Sequence, residues 1–142
     1  PPADPSPAAD IHRDVLGLAR LGEAVLVAQV REECERPAVR RALAVHPVTG
    51  AYLFHVLVSP DVPLDDPRLV LWGWFTRFDP LTDLHPARRL VQGNRVVLHA
   101  PIAIDATWKP GYRQPVAFDG DLEGRVDRDW DAYGIRREGR RR

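Results

Sequence analysis

The stretch A-Y-L-F-H-V-L-V at residues 51–58 constrains the fold more than any other part of the chain. It is a nearly continuous apolar run. A strand with one face in water alternates apolar and polar side chains, whereas an unbroken apolar run suits a strand covered on both faces. A second short, valine-rich run, A-V-L-V-A-Q-V at residues 24–30, reads the same way. Two such strands need helices to cover them.

Helical patterns occur between and around these runs. Asp10 can cap a first helix in which Ile11, Val15 and Leu18 recur at helical spacing, with Gly22 as its stop. Pro37 suits the first turn of a second helix, whose buried face would carry Val39, Ala42 and Leu43. Asp65 or Asp66 can cap a third, in which Val70, Leu71, Trp74, Phe75 and Phe78 make one broad apolar face. Pro80 disfavours helix at Asp79, so this helix must end near Arg77. Strands are expected at 95–98 and 102–106, joined across Pro101. A last helix over about 122–133 would bury Val126, Trp130 and Tyr133 and stop at Gly134. Alternating helices and strands predict an α/β (α+β) class: one layered domain with a mixed β-sheet flanked by helices. That domain would span 11–135, between a mobile proline-rich leader at 1–10 and a basic tail at 136–142.

Composition limits the function more than it directs it. The 142 residues carry no formal net charge, so no global field points to nucleic acid or a membrane surface. The single cysteine, Cys34, has no partner within the chain and suits a reducing, cytoplasmic location. With no methionine, the chain reads as processed or as a piece of a longer one. The glycines form no phosphate-cradling loop. The histidines at 12, 46, 55, 85 and 99 make no helical metal pair, and His55 within an apolar strand reads as a hydrogen-bonded core histidine. Cys34 lies among Glu32, Glu33 and Glu35, whose charges would raise a thiol pKa and discourage a nucleophile. The R-R-E-G-R-R-R tail reads as solvated, and the acids between Asp119 and Asp131 as helix capping and a solvated face. Lys109, the only lysine, reads as a product of genomic base composition. No complete catalytic set is visible, and no metal site is expected. Two charged residues in notable places remain: Arg77, at the end of the aromatic helix, and Asp105, in I-D-A-T-W-K.

Three segments in order carry a family resemblance. They are V-L-V-S-P-D-V-P-L-D-D-P-R-L-V-L-W-G-W-F-T-R-F-D-P, then I-D-A-T-W-K-P, then V-D-R-D-W-D-A-Y-G-I. Together they resemble the C-terminal domain of the UbiD-type carboxy-lyases over about residues 20–135. The resemblance implies a reversible decarboxylation system using prenylated FMN, with Mn2+ and K+ as the accompanying ions. The flavin region and the catalytic carboxylates lie upstream of this domain in that family. This chain would therefore be a subunit or detached C-terminal half, inactive alone. It would dock on a large UbiD-like subunit that carries the flavin domain, in a hetero- and homo-oligomeric assembly without nucleic acid or membrane. Arg77 and Asp105 are the positions that the resemblance places near the cofactor phosphate.

On residue chemistry alone, Arg77 could instead pin the turn by pairing with Asp105 or Asp79. Pro47, beside His46, stands where the family often has a lysine, and the family's acidic loop is reduced to Ser59, Pro60 and Asp61. The alternative reading is a non-catalytic assembly or regulatory module with the same fold and no cofactor contact.

Overall fold

Strands β2 (Val25–Val30) and β3 (Phe54–Val58) lie side by side and parallel, as the two apolar runs require. In this computed structural model, which describes residues 8–112 and 120–134, they form the centre of a five-stranded sheet. The sheet order is β1-β2-β3-β5-β4, with β5 (Arg95–Ala106) parallel to β3. Strands β1 (Val15–Leu21) and β4 (Leu84–Gln92) pair antiparallel at the two edges. The short helix α1 (Ala8–Ile11) precedes β1.

Helices α2 (Arg36–Val45) and α3 (Pro67–Arg77) cover opposite faces. On the α2 face, Leu26, Ala28, Val30 and Leu57 pack with Val39 and Leu43. On the α3 face, Val27, Val56, Val58, Ile104 and Ala106 pack with Val62 and Val70. Successive strand residues thus bury in alternate layers, which is why the runs could be apolar without a break. His55 is the polar exception. Its Nε2 donates to the Thr49 carbonyl at 2.8 Å, and burial pushes its pKa down, so it is a neutral core histidine. Compact packing groups the chain up to Pro110, with the whole sheet, into one unit, and the residues from Gly111 into another. The second unit contains α4 (Gly120–Asp129) and a 3-10 turn, Trp130–Tyr133, that stops at Gly134 with φ +67°. Most of the expected leader and all of the basic tail lie outside the described residues.

Three expectations need correction. The first helix is largely a strand. Val15 and Leu18 do share a core with Ile11, but a β-bulge between Val15 and Gly17 puts them on one side of β1. One extra residue in a strand turns an i, i+3 pair onto the same face and so mimics helical spacing. Strand β4 escapes sequence reading because L-H-P-A-R-R-L-V-Q is polar and contains Pro86, which an edge strand tolerates. The two strands expected on either side of Pro101 are one continuous strand, β5, with a cis Ala100–Pro101 bond.

The third helix also presents its apolar residues differently. Val70, Gly73 and Arg77 are buried, and Trp74 and Phe78 pack against the core. Leu69, Leu71, Trp72 and Phe75 are exposed, Phe75 by 66%. The helix is apolar nearly all round, not on one face. Gly73 makes its close approach possible, since a Cβ there would stand 2.7 Å from Val62 Cγ2. Gly73→Ala should therefore lower stability by about 1–2 kcal/mol in urea unfolding, because overpacking outweighs the ~1 kcal/mol gain in helix propensity. A stabilised variant would show that Val62 yields freely.

Candidate functional site

The parallel strands bring their carboxyl ends to one edge of the sheet, where α/β folds commonly place their sites. Strand β3 is followed by Ser59, Pro60 and Asp61, and β5 by Thr107, Trp108 and Lys109. The two loops are joined directly, as the Trp108 N–H donates to Ser59 Oγ at 2.6 Å. Helix α3 delivers the third component. Asp66 caps its start by accepting from the Arg68 N–H at 2.8 Å. Its end falls at Arg77, with Phe78 already extended before the Asp79–Pro80 turn.

Arg77 is only 2% exposed. Its guanidinium binds one carboxylate bidentately, with Nη1 to Asp61 Oδ1 at 2.8 Å and Nη2 to Asp61 Oδ2 at 2.5 Å. Its Cζ lies 4.5 Å from the centre of the Trp108 ring. The partner carboxylate is thus Asp61, and neither Asp79 nor Asp105. The hydrogen bonds from Arg77 hold the Asp61 carboxyl below its ordinary pKa, against the opposing effect of burial. The Asp61 side chain remains half exposed, so the fork presents a carboxylate to the surface.

Asp105 sits on the α2 side of β5, beside Leu57 in register. Its Oδ1 accepts from the Thr107 hydroxyl at 2.6 Å and the Thr107 N–H at 3.1 Å, and its Oδ2 lies 3.6 Å from Arg36 Nε. Arg36 also donates to Thr107 Oγ1 at 2.8 Å and so ties the first turn of α2 to the end of β5.

Lys109, which composition alone explains away, is the centre of the site. Its Nζ donates to the carbonyls of Arg77 at 2.9 Å and Asp105 at 2.8 Å, and pairs with Asp83 Oδ2 at 2.9 Å. Burial works against ionisation of Asp83, but the Asp79 N–H, Lys109 and the Thr82 hydroxyl together hold its carboxyl below the ordinary range. Sequence reading also passes over Arg36 and Asp83. The available signal is that the chain's only lysine falls inside I-D-A-T-W-K.

Chemically, the described residues of the site match three acids, Asp61, Asp83 and Asp105, with three cations, Arg36, Arg77 and Lys109. Cys34 is raised in pKa first by burial, with Asp14 and Asp105 adding to the rise and Arg36 opposing it; the glutamates beside it in sequence are not the cause. Among the described residues, no three histidine, cysteine or acidic side chains come together to hold a metal ion.

No family model matches the chain. Its fold matches vanillic acid decarboxylase of Sedimentibacter hydroxybenzoicus with a TM-score of 0.64, over 90% of this chain and 31% of that one, at 14% identity. It matches the UbiD-class enzyme HmfF of Pelotomaculum thermopropionicum, solved with prenylated FMN, with a TM-score of 0.57 over 82% of this chain and 26% of that one, at 15% identity. The fold is that of a portion of the UbiD-class enzymes.

A sequence match agrees with this. The chain is 36% identical over 63 residues to a Chlamydia pneumoniae protein named as one of the subunits of 4-hydroxybenzoate decarboxylase, covering 44% of this chain. An uncharacterised Chlamydia muridarum protein is 34% identical over 70 residues. The matched segments are 11% and 12% of those relatives, so the chain aligns with only a small part of each. Against the UbiD-class cofactor, Arg77 and Asp105 are both engaged within this chain.

Two outcomes follow from this geometry. Lys109→Met should cost about 2–3 kcal/mol, because it strands the Asp83 carboxylate and the last carbonyl of α3. The depressed carboxyl of Asp83 contributes stability that is present above its unfolded pKa of about 4 and lost as pH falls through its lower folded value. Asp83→Asn should therefore be less stable than the parent near pH 6, and the gap should narrow as pH falls below about 4. Denaturant titrations at both pH values check this, and a gap that persists in acid counts against the ion pair.

Proposed function

We propose that this chain supplies the C-terminal part of a UbiD-like decarboxylase or carboxylase, docking on a larger chain that carries prenylated FMN. The observation that carries the proposal is the outer face of α3. Leu69, Leu71, Trp72 and Phe75 stand exposed on a helix that is apolar nearly all round, in a chain matching about a third of its structural neighbours' length. A helix with that pattern belongs inside a larger body. Trp74 stacks on Phe75 with ring centres 4.9 Å apart, which stiffens the outer ring for contact.

The chemistry supports the same reading. Proton transfer needs positioned groups with tuned pKa values, and the carboxyls at the strand ends are instead committed to Arg36, Arg77 and Lys109. The partner chain would bring the flavin and the acid/base residues, and this chain would shape the rim of the site. Arg77 and Asp105 act there as positioning residues. Arg77 holds Asp61 at the surface, and Asp105 orders the Thr107–Lys109 turn. The closed Arg77–Asp61 pair is also the observation that favours the second reading, an assembly module without cofactor contact.

The test is complementation of a UbiD-class chain truncated before its own matching domain. Adding this chain should restore flavin retention and CO2 exchange. Trp72→Ser with Phe75→Ser should abolish co-elution while leaving the thermal midpoint of the isolated chain nearly unchanged. Full activity of the truncated chain alone overturns the proposal. If Arg77→Lys complements with undiminished flavin occupancy, the assembly-module reading holds.

A further inference from the structure

The face of the sheet covered by α2 carries a second feature, beside the strand-end network. A cleft of about 340 Å3 opens between α2 and the β4–β5 edge. Arg40 and Arg41 line it from the helix, and His55 and His85 from the strands. Arg40 and His85 are half-buried, and among the described residues neither side chain has a hydrogen bond or an ion pair. Asp105 acts on both electrostatically and Asp83 acts on His85 as well, but Asp105 is already held by Arg36 and Thr107, and Asp83 by Lys109. Burial lowers the pKa of Arg40, and burial followed by repulsion from Arg40 lowers that of His85. Two guanidinium groups and an imidazole thus share a partly dry space with too little negative charge, a combination that marks functional clefts more often than structural ones.

The walls narrow the ligand. Pro37, Pro86 and Pro101 line the cleft, and none has a backbone N–H to offer. Phosphate sites usually rely on such N–H groups at helix starts or glycine loops. Apolar walls with guanidinium forks suit a planar carboxylate on an apolar body, which the forks can grip in pairs while the ring or chain is buried. The volume falls at the lower end of small-molecule pockets, which start near ~300 Å3.

We propose that this cleft binds a small organic carboxylate with an apolar body, gripped by Arg40 and Arg41 with His85 beside them. The site stands independently of any docking on a partner, since α3 lies on the other face of the sheet. Calorimetric titration of the full chain with benzoate, benzamide and inorganic phosphate tests it. Benzoate should bind saturably at one site, and Arg40→Gln should weaken it about tenfold, the loss of one charge-assisted contact. Arg88→Gln, on the exposed outer part of the β4–β5 hairpin, should leave affinity unchanged. If Arg40→Gln proves unfolded by its melting curve, the exposed Arg41→Gln carries the same test. Benzamide or phosphate binding as tightly as benzoate overturns the proposal, as does benzoate affinity indifferent to both arginine variants or no saturable heat.

Discussion

The ammonium of Lys109 ties together three parts of the chain at this edge of the sheet. It meets the last carbonyl of α3, the carbonyl of Asp105 in β5 and the carboxylate of Asp83 just before β4. These acceptors come from three separate elements. An ammonium is a compact charge with three rotatable donors, whereas a guanidinium is a planar fork best suited to one planar partner. The point where three elements converge therefore calls for lysine, and the bidentate grip on Asp61 for arginine. That accounts for lysine, and not arginine, at position 109. A cation at the carboxyl end of α3 also opposes the helix dipole there.

With its end pinned, α3 cannot rotate to hide its outer face. Gly73 against Val62 and Arg77 against Asp61 fix which side meets the sheet. Trp72 and Phe75 are left outside as a consequence of that docking, not as a local accident. The electrostatic network and the exposed aromatic face are thus two ends of one arrangement. On the proposed reading, the network sets the angle at which the aromatic face is offered to a partner.

Much of the fold was legible because its core strands announce themselves. The runs at 24–30 and 51–58, the proline at the start of α2, the Asp66 cap and the Pro80 stop all act locally, so their effects can be read from neighbours in sequence. What stayed hidden depends on distance. The bulge in β1 appears only when β1 is paired with β2, and β4 is a strand because β5 lies beside it. The site divided in the same way. Arg77 and Asp105 stood out by type and position, but their partners Asp61, Arg36 and Thr107 are set by the ends of β3 and β5 meeting. Helical spacing correctly put Trp74 toward the core, yet it could not separate that side from the one carrying Phe75, because nearly every position in α3 is apolar.

Helix α2 links the two charged regions of the molecule. Arg36 lies in its first turn and faces Asp105, and Arg40 follows one turn later in the cleft. Asp105 is felt by both, so the strand-end network and the cleft are not electrically isolated. A carboxylate bound beside Arg40 places a second negative charge near Asp105. That charge satisfies Arg40 and leaves Asp105 more dependent on Arg36 and Thr107. These contacts fasten the first turn of α2 to the end of β5, one helical turn before the cleft.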